Sequence, residues 1–406
     1  MEKIPVIAYR RHGNELQQQV YSTISLNGET IISKLQNSLQ LLANPTIWSI
    51  KPYQPGKSIS EVKKEFGLEN IVKLVSNENL MGPSPLALAA VQSLLPEINF
   101  YPEDSARELK YALAKRHGVG CESIILGHGA TDILEIIARA FLCSGDEVIS
   151  AHPSFPWFQM LGQANGAKNV VVPLRDHTHD LQAMASSITN KTKLIFIANP
   201  NNPTGTMVEP LELNSFLRLL PANLAVVLDE AYIEYATNTE TDAWQYLSDK
   251  LLIIVRTFSK MAGLAGLRIG YAVAERHIIE LLEKARQPFN TTNLAHIAAL
   301  ASLQDHQHIE RSRQMVINGK AFLYAQLEKL GVSYVPSEAN FVFVDFQQDP
   351  GAIFNALLQR GFIIRPVLET CARITIGLPI HNNSLMEALA EVLSEHKIKY
   401  RTVRIS

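Results

Sequence analysis

Arg256-Thr257-Phe258-Ser259-Lys260-Met261-Ala262-Gly263-Leu264-Ala265-Gly266-Leu267-Arg268-Ile269-Gly270 follows directly on the apolar run Leu251 to Val255. A short apolar run bounded by polar and glycine residues reads as a buried parallel strand. Lys260 then sits just past a strand end, where an ammonium is poorly solvated and the neutral amine, a nucleophile toward carbonyls, is favoured. The hydroxyls of Thr257 and Ser259 and the cation of Arg268 suit a phosphate, and Gly263 and Gly266 allow close backbone approach. An aldehyde carrying a phosphate satisfies every part of this stretch, and pyridoxal 5′-phosphate is such a molecule.

Similar strand ends lie to either side. Leu224 to Leu228 runs into Asp229-Glu230-Ala231-Tyr232, where a carboxylate can hold a pyridinium nitrogen protonated and make the ring an electron sink. Leu194 to Ala198 runs into Asn199-Pro200-Asn201-Asn202-Pro203-Thr204-Gly205. Two prolines and a glycine fix an irregular loop there, at the strand edge where ligands bind in open α/β sheets. Ser123 to Leu126 leads through Gly127-His128-Gly129-Ala130-Thr131 into an amphipathic helix, whose free N–H groups and positive end suit phosphate. Val148 to Ser150 precedes His152-Pro153-Ser154-Phe155-Pro156-Trp157-Phe158. Apolar runs near 124, 148, 170, 194, 225, 252 and 270 predict an α/β fold with a mainly parallel sheet of about seven strands and helices on both faces.

Ser259 to Gly270 has the form S-K-x-x-x-L-A-G-L-R-x-G and resembles the cofactor-lysine motif of fold-type I, class I and II aminotransferases, close to their histidinol-phosphate branch. The resemblance covers about Ile50 to the C-terminus and rests on further segments. Pro52 to Lys57 resembles the PYxPGK entry, Asn77 to Pro85 the NENPxGPSP segment (with Leu80 in place of the usual proline), Tyr101-Pro102 the YP pair, Pro200 to Gly205 the PNNPTG signature, and Pro288 to Asn290 the PFN bend.

The resemblance implies a role for each matched position. Lys260 holds the pyridoxal 5′-phosphate aldehyde and later moves protons as general acid–base. Asp229 faces the ring nitrogen, Asn202 and Tyr232 the phenolic oxygen, and Phe155 stacks on the ring. Gly129, Ala130, Thr131, Thr257, Ser259 and Arg268 hold the phosphate. Tyr101 reaches the cofactor phosphate of a neighbouring subunit, which implies a homodimer. Asn79, Arg365 and Arg373 meet the substrate, the arginines gripping an anion bidentately as lysine cannot. One antiparallel sheet strand and a smaller α+β domain also follow. The implied division is an extension of unknown role over 1–45, an arm and part of the small domain over 46–75, a large cofactor domain over 76–293 and a small domain over 294–406.

The implied reaction is transamination with 2-oxoglutarate. Its donor is L-histidinol phosphate, with an aromatic amino acid as the alternative. A pyridoxal-phosphate decarboxylase or acyl-transferase shares the fold. A cofactor-binding regulator is disfavoured, because the first 45 residues are too short and too little basic for a DNA-binding module.

Composition sets outer bounds. At 406 residues, 47% hydrophobic, the chain has ample apolar mass for two packed domains. A net charge of −2 supplies no field for nucleic acid. Cys121, Cys143 and Cys371 are too widely spaced for a disulfide framework or metal knuckle and read as reduced thiols. Asp176-His177-Thr178-His179-Asp180 reads as a solvated polar loop, so no metal is expected. No apolar run approaches the ~20 residues of a membrane span. The patch Ile4 to Tyr9 is too short for a signal peptide, which makes the cytoplasm the expected compartment. Ile31, Ile32, Leu35, Leu39 and Leu42 recur at helical spacing. Ser58 and Glu61 form a capping box for a helix that Gly67 closes, and Ser84-Pro85 opens another.

Overall fold

The computed structural model describes residues 8–12, 15–19, 31–53, 56–238 and 242–395. Gln54 and Pro55 of the arm and most of the Ile4 to Tyr9 patch lie outside them. The chain forms two compact units, Met1–Pro52 and Tyr53–Ser406. In the first, strands Ala8–His12 and Glu15–Gln19 pair antiparallel, which the sequence reading did not anticipate. The spaced leucines do form a helix, Ile31–Leu42.

The second unit is built on a seven-stranded sheet: β1 (Ile124–Gly127), β2 (Glu147–His152), β3 (Lys168–Pro173), β4 (Thr192–Ala198), β5 (Ala225–Asp229), β6 (Leu252–Thr257) and β7 (Gly270–Ala274). The spatial order is β1-β7-β6-β5-β4-β2-β3. Strand β7 runs antiparallel to both its neighbours, and the other pairings are parallel. Strands β1, β2, β4, β5 and β6 therefore all end at one edge of the sheet, and β7 begins there.

The strands are apolar on both faces because both are covered. Alternate residues divide between the two layers. Ile125, Val148, Phe196, Val227, Val255 and Ala272 pack with helices Ala130–Phe141, Trp157–Ala164 and Arg276–Ala285. On the other face Ile149, Ile195, Ile197, Val226, Leu228 and Ile254 pack with helices Leu181–Ser186 and Pro210–Leu219. Ile124, Tyr271 and Val273 meet helices Arg107–His117 and Asn293–Gln304 there.

A second core surrounds a four-stranded antiparallel sheet of β8 (Ser333–Val335), β9 (Phe341–Asp345), β10 (Arg365–Pro366) and β11 (Cys371–Thr375) in the order β8-β9-β11-β10. Helices His306–Leu330, Gly351–Gln359 and Pro379–Glu395 cover it. Val72–Lys73 adds a short parallel pair to Phe362–Ile363, so the chain entering from the arm is tied to this core before it reaches the large sheet.

The helix punctuation read from sequence is present. Ser58 Oγ accepts from the Glu61 N–H at 3.2 Å, Glu61 Oε2 accepts from the Ser58 N–H at 2.6 Å, and Gly67 closes the helix at φ 66°. Ser84 caps the helix Pro85–Leu94.

Candidate active site

A cavity of about 290 Å³ opens at the edge where the parallel strands end. Register brings its parts together. Gly270 lies opposite both Thr257 and Gly127, and Asp229 lies between Ala198 and Val255.

One end of the cavity is built for an anion. Gly129 caps helix Ala130–Phe141 at φ 78°, and a Cβ there would stand 2.4 Å from an Arg268 nitrogen. Only glycine therefore fits that position. Arg268 Nη2 donates to Thr131 Oγ1 at 3.2 Å and to the His128 carbonyl at 3.4 Å, while Nη1 donates to Ser259 Oγ at 3.4 Å. Burial lowers the Arg268 pKa, and Asp132 is the opposing charge. A guanidinium, the hydroxyls of Thr131, Thr257 and Ser259, and the start of a twelve-residue helix make a donor set suited to phosphate.

The middle of the cavity holds the paired ionisable groups. Asp229 is buried at the end of β5, with Oδ1 accepting from the Ala231 N–H at 3.1 Å. Burial, then Glu230, pushes its pKa up to about 7, with Lys260 opposing. Lys260 Nζ donates to the Ser76 carbonyl at 3.0 Å and stands 5.6 Å from the Tyr232 ring centre. Burial, then Arg373, lowers its pKa to about 7, so a large neutral fraction exists near neutral pH. Phe155 lines the wall and meets Phe158 edge-on at 5.6 Å. Phe158 itself is core, stacked on Phe196, and Trp157 Nε1 donates to the Thr131 carbonyl at 3.3 Å.

At the other end, Arg365 and Arg373 stand directly opposite one another on β10 and β11. Arg373 donates to Asn202 Oδ1 and, at 2.7 Å, to the Val75 carbonyl, while its buried Nε has no partner among the described residues. Arg365 lies 5.7 Å over the Tyr53 ring. Two guanidiniums on one wall, one with an unspent N–H, suit a carboxylate or phosphate.

Two of the named side chains, Asn79 and the Tyr101 assigned to a neighbour's site, lie outside this chain's own cavity. Asn79 does not line the cavity: its Nδ2 donates to the Met261 carbonyl at 2.9 Å and Ser312 Oγ at 3.0 Å, and its Oδ1 accepts from Met81 N. Its polar groups are spent on packing the segment, and Ser76, Asn77 and Glu78 occupy the wall instead. Tyr101 is outside its own chain's cavity, 82% exposed and stacked on Phe289 at 4.9 Å. The Asp176 to Asp180 loop also differs from its reading. His179 is 2% exposed, with Nε2 bonded to the Ala198 carbonyl at 3.0 Å and its pKa lowered by burial to about 4. Among the described residues no group of three or more His, Cys, Asp or Glu is arranged for a metal. Glu78, paired with Lys73, and Tyr53 are cavity residues that the sequence reading did not single out, although both fall inside the segments it quoted.

Fold and cavity together define an enzyme that takes an amino group onto a phosphorylated aldehyde. The chain belongs to the aminotransferase class I and II family, whose model matches residues 69–393. It is 45% identical over 355 residues to the histidinol-phosphate aminotransferase of Moorella thermoacetica, covering 86% of this chain and 92% of that one. It is 43% identical to histidinol-phosphate aminotransferase 2 of Pseudomonas aeruginosa, covering 87% and 98%. The solved histidinol-phosphate aminotransferase of Sinorhizobium meliloti, in complex with pyridoxal-5′-phosphate, superposes with a TM-score of 0.82 at 28% identity over 87% of this chain and 98% of that one. Pyridoxal 5′-phosphate is the cofactor of this family fold, and the Gly129 cradle, the Arg268 donor set, buried Asp229 and the Lys260 amine fit it.

Proposed function

We propose that the enzyme transfers the amino group of L-histidinol phosphate to 2-oxoglutarate, giving imidazole acetol phosphate and glutamate, in L-histidine biosynthesis. The observation that carries this reading is the opposed pair Arg365 and Arg373 lining the same cavity as Lys260. Relatives at 40–45% identity that bear the histidinol-phosphate name support it.

When bound, pyridoxal phosphate supplies an aldehyde for amino groups and an electron-withdrawing ring. The chain's own residues do the rest. Ala130, Thr131, Thr257, Ser259 and Arg268 would hold the phosphate. Asp229 would keep the ring nitrogen protonated, Asn202 and Tyr232 would donate to the phenolic oxygen, and Phe155 would cover a ring face. Lys260 Nζ would serve as general base for the proton on the donor's α-carbon. The arginine pair takes the donor's phosphate in one half-reaction and a 2-oxoglutarate carboxylate in the other, since guanidinium forks accept either anion.

Three further elements belong to this reading. A division into a large domain over 76–293, a small domain over 294–406, and a stretch over 46–75 that is the arm and part of the small domain is supported by the pairing of Val72–Lys73 with Phe362–Ile363. A homodimer is supported by the exposed apolar group Ile98, Phe100, Tyr101 and Phe289 beside Pro102. A cytoplasmic setting is supported by three free cysteines; separately, among the described residues no helix is long and apolar enough to cross a membrane.

The arginine pair tests the donor assignment. A charge-assisted bond is worth roughly 1.5–3 kcal/mol, so Arg373→Ala lowers kcat/KM by about ten- to a few hundred-fold. Arg365→Ala lowers kcat/KM for histidinol phosphate more than for phenylalanine. Equal losses on the two donors would mean that Arg365 does not read the phosphate.

A further inference from the structure

Asn77 is 1% exposed and holds a left-handed backbone, φ 55°. Outside glycine this conformation is uncommon, and asparagine is among the residues that tolerate it best. The turn aims every polar group of the residue at a partner. Its N–H donates to Thr375 Oγ1 at 3.0 Å, and Thr375 Oγ1 donates back to Oδ1 at 3.0 Å. Its carbonyl accepts from Asn340 Nδ2 at 3.1 Å. Its Nδ2 donates to the Tyr232 hydroxyl at 2.9 Å.

The polarity of this chain of bonds has a consequence. A main-chain N–H can only donate, so Thr375 accepts it and has its own proton to give. That proton goes to Oδ1, which leaves the NH2 end of the amide toward Tyr232. Tyr232 then accepts at its oxygen, and its single proton must find an acceptor elsewhere. Tyr232 lines the cavity, and Phe341 packs against its ring edge-on at 5.1 Å.

We propose that Asn77 is a positioning residue which, held by Thr375, turns the Tyr232 hydroxyl proton into the cavity, toward the phenolic oxygen of the cofactor. This rests on the reading that Tyr232 faces that oxygen. Asn77→Asp keeps the size but reverses the polarity, since a carboxylate captures the hydroxyl proton. Asn77→Gly keeps the left-handed backbone and deletes the amide. Thr375→Val leaves both residues in place and frees the amide to turn.

The test is a set of cycles with Tyr232→Phe, read as the dissociation constant for pyridoxal 5′-phosphate and as the pH midpoint of the loaded protein's visible band. One hydrogen bond corresponds to about three- to tenfold in affinity. Asn77→Gly and Thr375→Val are expected to weaken binding by up to that amount, and Asn77→Asp by more. All three should shift the midpoint in the same direction as Tyr232→Phe. In the Tyr232→Phe background the three should add little, because groups that act through one another are not additive. Full additivity overturns the proposal, with Thr375→Val deciding if the Asn77 variants do not fold. A silent Tyr232→Phe instead overturns the reading of Tyr232 on which the proposal stands.

Discussion

Lys260→Ala loses turnover by about a thousandfold or more, because one substitution removes both the amine that captures the aldehyde and the base that takes the α-proton. The phosphate donors around Arg268 remain, so the variant still takes up the cofactor without a covalent bond. In the unaltered protein, borohydride reduction followed by peptide mapping places the pyridoxyl group on Lys260, and a label on another lysine contradicts the assignment. The pKa of about 7 adds a pH signature. Capture of the aldehyde by the cofactor-free protein speeds up as pH rises through about 7, where an ordinary lysine would respond only near 10.5. Mixing Lys260→Ala chains with chains disrupted at Tyr101 restores part of the activity if each site takes Tyr101 from its neighbour. An active monomer in sedimentation contradicts that arrangement.

Asp229→Asn has two effects of opposite sign. Removing one partner of a buried pair costs about 3–5 kcal/mol, so turnover and cofactor affinity fall by roughly a hundred- to several-thousandfold. The cofactor-free fold behaves differently. In it burial holds the Asp229 pKa at about 7, against the ordinary 3.8 of an aspartate. Between those values the folded chain binds more protons than the unfolded one, so stability falls as pH rises through the window and the penalty is complete above about 7. Cofactor-free Asp229→Asn is therefore more stable than the parent at pH 8, by an amount on the order of a few kcal/mol, and the advantage shrinks as pH falls toward 4. Thermal unfolding across that range checks it. A variant less stable at pH 8 but with normal turnover would move the essential carboxylate elsewhere.

The large sheet was legible in the sequence because its signals are local. Each strand is a short apolar run, and each cavity segment follows its own strand within a few residues, as Asn199 to Asn202 follows Ala198 and Ser259-Lys260 follows Thr257. What was not legible depends on side-chain direction or on distant register. The left-handed turn at Asn77 decides which residue of the Asn77-Glu78-Asn79 segment faces the cavity, and it leaves Asn79 bonded to Met261 and Ser312. Left-handed Asp176 and His177, with the Arg175–Thr178 bridge, fold a polar loop back so that His179 is buried under Ala198. Glu230 follows the carboxylate that faces the cavity, yet it pairs at 2.7 Å with buried Arg256, a contact no spacing announces. The guanidinium of Arg365 over Tyr53 joins residues from the arm and the second core. The opposition of Arg365 to Arg373 required the register of β10 on β11.

The most direct test of the proposed activity is a set of initial rates with 2-oxoglutarate as acceptor and L-histidinol phosphate, phenylalanine and tyrosine as donors, measured side by side on the cofactor-loaded enzyme. The expected result is a higher kcat/KM for histidinol phosphate than for either aromatic amino acid, with one glutamate formed per donor consumed. A higher kcat/KM for phenylalanine or tyrosine, or carbon dioxide release without consumption of 2-oxoglutarate, would contradict it.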